Sequence, residues 1–153
     1  MSTVITMKIM NDFDRIEKIH NVRIPNDLFF NTIDVYLNKF GKVLPYVQFI
    51  PDRIALDAER SDIINGTQID MRWVVGKFVS YDKDRFSMDV KLDDRSGTIG
   101  SVIKDIIKNN DKYGLYVHLI GDGNLHPEKV LVLDKQVQLK ATKFVILPKY
   151  LIT

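Results

Sequence analysis

The stretch VGKFVSYDKDRFSMDVKL at residues 75–92 determines the fold class of this 153-residue chain. A strand-like run from Thr67 to Tyr81 leads into a polar turn, Asp82 to Arg85. The residues after the turn alternate between apolar and polar types, with Phe86, Met88, Val90 and Leu92 as the apolar set. Alternation with a period of two is typical of a strand with one buried face. Two such runs around a polar turn predict a long antiparallel hairpin.

Two helices are predicted on either side of this hairpin. The first begins after Pro25 and ends before Gly41, and its inner stripe is Phe29, Phe30, Ile33, Tyr36, Leu37 and Phe40. The second covers Thr98 to Asn109, with Ser96 or Thr98 as its cap and an aliphatic face formed by Ile99, Val102, Ile103, Ile106 and Ile107. Apolar residues at intervals of three and four indicate a helix that buries one face. Both stripes are expected to belong to the core.

Further strands are predicted at both ends of the chain. These are residues 3–10, 114–120 and 130–133 and a last strand, 137–147, that ends at Pro148. Strands before, between and after two helices favour a single α+β domain spanning residues 1–153. We expect an antiparallel sheet or a partly closed β-barrel with two main helices packed against it.

Composition restricts the classes of function. The chain has 22 basic and 20 acidic residues, a net charge of +2, and therefore lacks the strong positive charge of a dedicated DNA-binding domain. It has no cysteine, which excludes disulfides, thiolate metal sites and cysteine nucleophiles. The start lacks the basic and apolar pattern of a signal peptide, and no run reaches 18 apolar residues. These features predict a soluble cytoplasmic protein without a membrane partner.

No metal or cofactor site is predicted. The chain has three histidines, His20, His118 and His126, and none has the spacing of a metal-binding pair. The acidic residues Asp52, Asp57, Glu59 and Asp62 do not match a calcium loop, and they are interleaved with arginines. The sequence favours a solvated, salt-bridged loop for this segment. The glycine-containing stretch 97–101 lacks the lysine of a phosphate loop.

The pair Arg72-Trp73 has two interpretations. A basic residue beside an aromatic one would suit the stacking of single-stranded bases on a sheet. Trp73, however, shares strand parity with Val75. The sequence therefore favours a Trp73 that points into the core or towards a protein partner, and a nucleic-acid partner is less expected.

The order of motifs carries a resemblance to a known family. The segment NKFGKVLP at residues 38–45 precedes the hairpin, the second helix and the strand Gly114 to Gly121, and the chain then reaches Pro148. This order resembles that of the prohead serine proteases of tailed phages, which share a fold with the herpesvirus assemblin proteases. The early motif of that family reads approximately N-x-N-G-R-x-Y-P.

The resemblance also implies that the catalytic residues are missing. The family has a histidine after a short acidic and apolar segment, where this chain has Ala58 in Leu56-Asp57-Ala58-Glu59. The family's nucleophilic serine would fall at Val117-His118. Without a nucleophile and a general base there is no route for acyl transfer. The resemblance thus implies a non-enzymatic pseudoprotease that acts as a phage structural or assembly protein: a capsid-associated, decoration, connector or internal head protein.

This interpretation implies a location in the virion or the host cytoplasm, and partners among virion or capsid proteins or further copies of the chain. Trp73 and the C-terminal residues Tyr150, Leu151 and Ile152 are the candidate contacts, since the run 149–153 could add a strand to a neighbour. The apolar start, residues 4–7, could do the same, or both ends could be ordinary edge strands of the chain's own sheet.

Two other functions stay open from the sequence. One is a small viral regulator that binds a host protein or nucleic acid. The other is an active serine-type prohead protease in which His118 works with an unrecognised serine or carboxylate.

Overall fold

The computed structural model describes residues 3–61, 68–121, 131–133 and 139–151. Within these ranges the backbone forms eight strands, six of which make one sheet. The strands are β1 (Thr3–Lys8), β2 (Val22–Arg23), β3 (Tyr46–Phe49), β4 (Val74–Asp82), β5 (Ser87–Leu92), β6 (Tyr113–Ile120), β7 (Leu131–Val132) and β8 (Lys140–Pro148).

Four α-helices accompany the strands in the described ranges. They are α1 (Phe13–His20), α2 (Asn26–Asn38), α3 (Arg53–Ser61) and α4 (Gly97–Lys108). Residues 71–73, 110–112 and 149–151 each form a single turn of 3₁₀ helix. None of the helices in the described part of the chain is long and apolar enough to cross a bilayer.

The large sheet has the strand order β1-β5-β4-β3-β8-β6 and curls into a half-barrel. The predicted α+β class and partly closed barrel are confirmed. The sheet is not wholly antiparallel, however, because β3 and β8 run parallel, with Val47 opposite Phe144 and Phe49 opposite Ile146. A second parallel pair joins β2 to β7. Parallel neighbours require a long connection, and 90 residues lie between the end of β3 and the start of β8.

The predicted hairpin is confirmed as β4 and β5, which pair from Gly76–Leu92 to Asp82–Ser87. Its first strand begins at Val74, later than the sequence predicted. The turn ends at Phe86, whose φ of 51° lies in the left-handed region that favours glycine. The ring of Phe86 stacks on Phe29 at 5.6 Å and meets Phe30 edge-on at 5.5 Å. These contacts hold a bulky residue in a strained turn position, since each aromatic pair contributes about 0.5–1.5 kcal/mol.

The two predicted main helices are confirmed as α2 and α4, with ends one or two residues from those expected. Two further helices were not predicted. The acidic segment assigned to a loop is α3, so that prediction is wrong. Asp52 caps this helix by accepting a hydrogen bond from the Ala55 amide at 2.9 Å, and Leu56 is buried. One buried leucine among charged neighbours gives too short an apolar pattern for the helix to be recognised.

The two edges of the curled sheet meet at residues 9–11. The Met10 amide donates to the Leu115 carbonyl at 2.7 Å, and Ile9 forms a parallel bridge with Leu115. The buried side chain of Asn11 extends this contact, because its Nδ2 donates to the Val117 carbonyl and its Oδ1 accepts from the Val117 amide, both at 2.9 Å. An amide side chain thus takes the place of a strand and satisfies both polar groups of a β6 residue.

Gly114 allows the segment around Met10 to lie close to β6. A Cβ at this position would collide with the side chain of Met10, so the edge of β6 tolerates the incoming segment only where a side chain is absent. Closure of the half-barrel therefore depends on a glycine on one edge and an asparagine on the other.

We expect Asn11→Leu to destabilise the protein by about 2–4 kcal/mol, since it leaves the buried amide and carbonyl of Val117 without partners. Asn11→Asp should also destabilise it, because a carboxylate accepts but does not donate. The measurement is urea unfolding followed by circular dichroism. Asn31→Leu, an exposed position on α2, serves as control and should change stability by less than about 0.5 kcal/mol. Equal stability of Asn11→Leu and the wild type would contradict this role.

Candidate functional site

The outer face of the sheet carries a second, smaller apolar cluster. Strand β8 alternates, with Phe144 and Ile146 in the main core and Val145 and Leu147 on the opposite face. Leu56 of α3 packs against this opposite face. Helix α3 is therefore fixed on the outside of the sheet, where its neighbouring residues form a concave surface.

A β-bulge interrupts the outer face at Thr142. His118 of β6 lies opposite Lys143, but the next residue, Leu119, lies opposite Ala141, so Thr142 is the additional residue on β8. The Thr142 Oγ1 atom lies 2.6 Å from Nδ1 of His118 and 3.3 Å from the His118 carbonyl oxygen. The Thr142 hydroxyl has one proton and can donate it either to Nδ1 or to the His118 carbonyl oxygen. If it donates to the carbonyl, Nδ1 carries a hydrogen and donates to Oγ1. Bulges commonly re-aim side chains in this way next to functional sites.

Lys143 follows the bulge and is fully buried, with no exposed surface. Burial of an ammonium group is costly unless the surroundings stabilise its charge, so a lysine at this place is a specific feature of the outer face. Its charge also reaches Asp70, where it contributes the smallest of the effects that lower the pKa of that carboxyl group.

A groove of about 740 Å³ lies beside α3, and we call it the Ile54 groove. Three segments line it. They are residues 48–52 at the end of β3, the α3 residues Ile54, Ala55 and Ala58, and residues 68–71 together with Trp73. Its volume is within the range of binding pockets for small molecules and peptide side chains.

Large apolar side chains are exposed at the rim of the Ile54 groove. Ile54 is 82% exposed and Met71 is 53% exposed. Trp73 is partly buried and its ring centroid lies 6.1 Å from that of Phe49. Single exposed apolar residues are common on protein surfaces, but a group of them around a groove is typical of a protein interaction site.

Asp70 organises the wall of the groove. Its carboxylate accepts hydrogen bonds from Nε and Nη2 of Arg72 at 3.0 and 2.8 Å, and its amide donates to Oε1 of the buried Gln48 at 3.0 Å. The hydrogen bond from Arg72 is the main reason why the pKa of Asp70 is lowered. Because the guanidinium of Arg72 is paired with Asp70, the combination of Arg72 and Trp73 is less suited to holding single-stranded bases than the sequence alone allowed.

The structure separates the predicted site residues. Ala58 lies in the Ile54 groove, whereas His118 lies at the bulge. Trp73 packs against the main core, as predicted, and it also lines the groove. It belongs to a 3₁₀ turn before β4 and not to the strand from which its orientation was predicted. His126 lies outside the described residues.

The C-terminal candidates also differ from one another. Residues 149–151 form a 3₁₀ turn, so this described part of the run is not an edge strand of the chain's own sheet. Leu151 is buried against Val145 and Leu147, and its side chain offers no surface to a partner. Tyr150 is 68% exposed, and Ile152 lies outside the described residues. The apolar start forms β1, an edge strand of the chain's own sheet, as one of the two alternatives predicted.

The sequence did not reveal Thr142, Lys143 or the Ile54 groove. A bulge leaves no regular pattern, and the groove combines three segments that are distant in sequence. A lysine directly before the apolar run 144–147 was the only available signal, because a charge there interrupts an otherwise buried strand. Among the described residues, no group of three side chains could hold a metal ion.

We expect Arg72→Gln to raise the pKa of Asp70 towards its ordinary value, since Arg72 is the main cause of the lowered pKa. A lowered pKa in the folded protein stabilises it above the unfolded pKa, and this contribution disappears as the pH falls through the folded pKa. The variant should lose that acid dependence. Carboxyl ¹³C NMR titration measures the pKa of Asp70 in the wild type and in the variant. Arg53→Gln, at an exposed position of α3, is the control and should leave the pKa of Asp70 unchanged. An unchanged pKa of Asp70 in Arg72→Gln would contradict the assignment.

The Ile54 groove and the His118–Thr142 pair are the two features of the outer face on which a function can be proposed. No protein-family model, no curated protein and no solved structure matches this chain at a significant level.

Proposed function

We propose that this chain is a non-enzymatic structural or assembly protein of a tailed phage, which binds another virion or capsid protein through the Ile54 groove. The observation that carries the proposal is the exposure of Ile54 and Met71 at the rim of a groove that also contains Trp73. The order of hairpin, helix and strand that resembles the prohead proteases supports the phage setting.

The groove can supply substantial binding energy. Full burial of an isoleucine or methionine side chain contributes about 1.5–3 kcal/mol, and both Ile54 and Met71 are largely exposed in the isolated chain. Trp73 adds a large ring, and aromatic anchors in desolvated pockets dominate many protein interfaces. The occupant that fits is an apolar segment of a partner protein.

The residues at the degenerate catalytic positions support a binding role. Ala58 ends in a methyl group, which neither accepts nor donates a proton. Val117 is buried in the main core, and His118 is hydrogen-bonded to Thr142 across the bulge. Neither position carries a serine that could act as the nucleophile of acyl transfer.

The test uses the absence of native cysteine. Ile54→Cys creates a single attachment site for a photo-cross-linker, and the labelled protein is irradiated in extracts of the phage-infected source cells. We expect cross-links to a virion or capsid protein, together with stoichiometric amounts of the chain in purified particles by quantitative mass spectrometry. Ile107→Cys on α4, where the side chain is 40% exposed, is the matched control and should not give that cross-link.

Two results would contradict the proposal. In one, the chain is absent from purified particles and position 54 gives no specific cross-link. The other is an identical cross-linking pattern from positions 54 and 107, which would indicate non-specific contact of exposed apolar residues.

A second candidate function is hydrolysis, and one observation favours it. The hydroxyl of Thr142 lies within hydrogen-bond distance of Nδ1 of His118, as a nucleophile and its base would. Acyl transfer also needs donors that stabilise the oxyanion. The same hydroxyl lies near the His118 carbonyl, an arrangement that a structural hydrogen bond at a bulge also explains.

A fluorophosphonate probe separates the two functions. An active Thr142 would form a bond to phosphorus, fluoride would leave, and His118 would take the hydroxyl proton. We expect no adduct on the wild-type protein, in keeping with a binding role. An adduct on Thr142 that is lost in His118→Ala and in Thr142→Val would overturn the non-enzymatic proposal.

A further inference from the structure

A second pocket, distinct from the Ile54 groove, lies where the end of α2 meets β6 and β8. It has a volume of about 430 Å³, and we call it the Tyr36 pocket. Its lining residues come from three elements: Tyr36 and Lys39 from the end of α2, Ile120 from β6, and Lys140, Ala141 and Thr142 from β8. None of these six residues lines the Ile54 groove.

The hydroxyl of Tyr36 is a donor without a partner. The residue is only 7% exposed, and its ring packs edge-on against Phe144 at 5.2 Å and Phe40 at 4.9 Å. Within the described ranges its hydroxyl makes no hydrogen bond, and it is not among the side-chain atoms that are fully enclosed. Because Tyr36 lines the pocket and its hydroxyl oxygen is not fully enclosed, this donor is available to a ligand that binds there. Burial raises the pKa of Tyr36 to about 12, so the group stays protonated and can donate at neutral pH.

The two charged residues among the described residues that line the pocket have the same sign. Lys39 and Lys140 are exposed, and neither ammonium group has an ion-pair partner in the described part of the chain. Within the described parts of the chain, no carboxylate lines the pocket. Lys39 alone could be explained by its place at the C-terminus of α2, where a cation complements the helix dipole. That explanation does not apply to Lys140 on β8 or to the hydroxyl of Tyr36.

We propose that the Tyr36 pocket binds the phosphate group of a small phosphate monoester. Two ammonium groups and a phenolic hydroxyl supply donors for the phosphate oxygens, and charge-assisted hydrogen bonds of this kind are strong. The volume exceeds that of a phosphate ion, and Ile120 and Ala141 provide apolar surface for the organic part of the ligand. This inference does not depend on the partner proposed for the Ile54 groove.

The test is isothermal titration calorimetry of the full chain with ribose 5-phosphate, inorganic phosphate and ribose. We expect saturable binding of ribose 5-phosphate, weaker binding of inorganic phosphate and none of ribose. Lys140→Gln and Tyr36→Phe should each weaken binding about tenfold or more, since each removes a hydrogen bond to a charged group. Tyr36→Phe keeps the packed ring and removes only the unbonded hydroxyl, so the fold is expected to persist, which circular dichroism verifies.

Lys91→Gln is the matched control, because Lys91 is an exposed strand lysine on β5 and its loss changes the net charge by the same amount. Its affinity for ribose 5-phosphate should equal that of the wild type. Equal weakening by Lys91→Gln and Lys140→Gln would show a general effect of charge and overturn the site. No saturable binding of either phosphate below about 10 mM, or an unchanged affinity in Tyr36→Phe, would also overturn it.

Stronger binding of inorganic phosphate than of ribose 5-phosphate would overturn the proposal that the ligand is a monoester. It would show that the pocket prefers the free phosphate ion.

Discussion

The contact between Asn11 and Val117 is the constraint on which the rest of the structure depends. A curled sheet of six strands has two free edges, and each edge exposes backbone groups that must be satisfied. The side chain of Asn11 forms hydrogen bonds with the amide and carbonyl of Val117 on β6. The Met10 amide donates to the carbonyl of Leu115, two residues earlier on the same strand. This joint brings the N-terminal segment across the open side of the half-barrel and places α1 beside α2, where Phe13 meets Phe29 at 5.0 Å. Phe13 thereby joins the aromatic cluster at the strained turn, with its ring 6.0 Å from that of Phe86.

The arrangement of side chains on the outer face depends on the additional residue Thr142 in β8. The bulge leaves Thr142 outside the regular pairing with β6, so that His118 contacts Thr142 while Ala141 still belongs to the main core. Beyond the bulge the alternation resumes, and Val145 and Leu147 support α3. One strand therefore positions the polar pair at one end and the apolar support of the Ile54 groove at the other.

The sequence predicted the parts of the fold that repeat regularly. The hairpin β4–β5 and the helices α2 and α4 have long stripes of apolar residues, and hydrophobic periodicity is strongest in such elements. Helix α3 was missed because Leu56 is its main buried anchor, and the parallel pairing of β3 with β8 was missed because no local pattern encodes a partner that far along the chain. In the candidate site, Trp73 was recognised as a core or partner contact for a wrong reason. Thr142 and Lys143 were not recognised, since a bulge is defined by the register of two strands and not by either strand alone.

The two proposed surfaces use β8 in opposite ways, and this affects how they can be told apart. Strand β8 contributes Lys140 and Thr142 to the Tyr36 pocket, and it supports the Ile54 groove only indirectly, through Val145 and Leu147 under α3. A change in the buried part of β8 would disturb both surfaces together and would say little about either. Substitutions can instead be made outside the buried part of the sheet. Ile54 and Met71 serve for the groove, and Lys140 and the hydroxyl of Tyr36 serve for the pocket. Because the two sets share no contact given by the structure, their effects on binding should be additive, and any coupling between them would have to pass through β8.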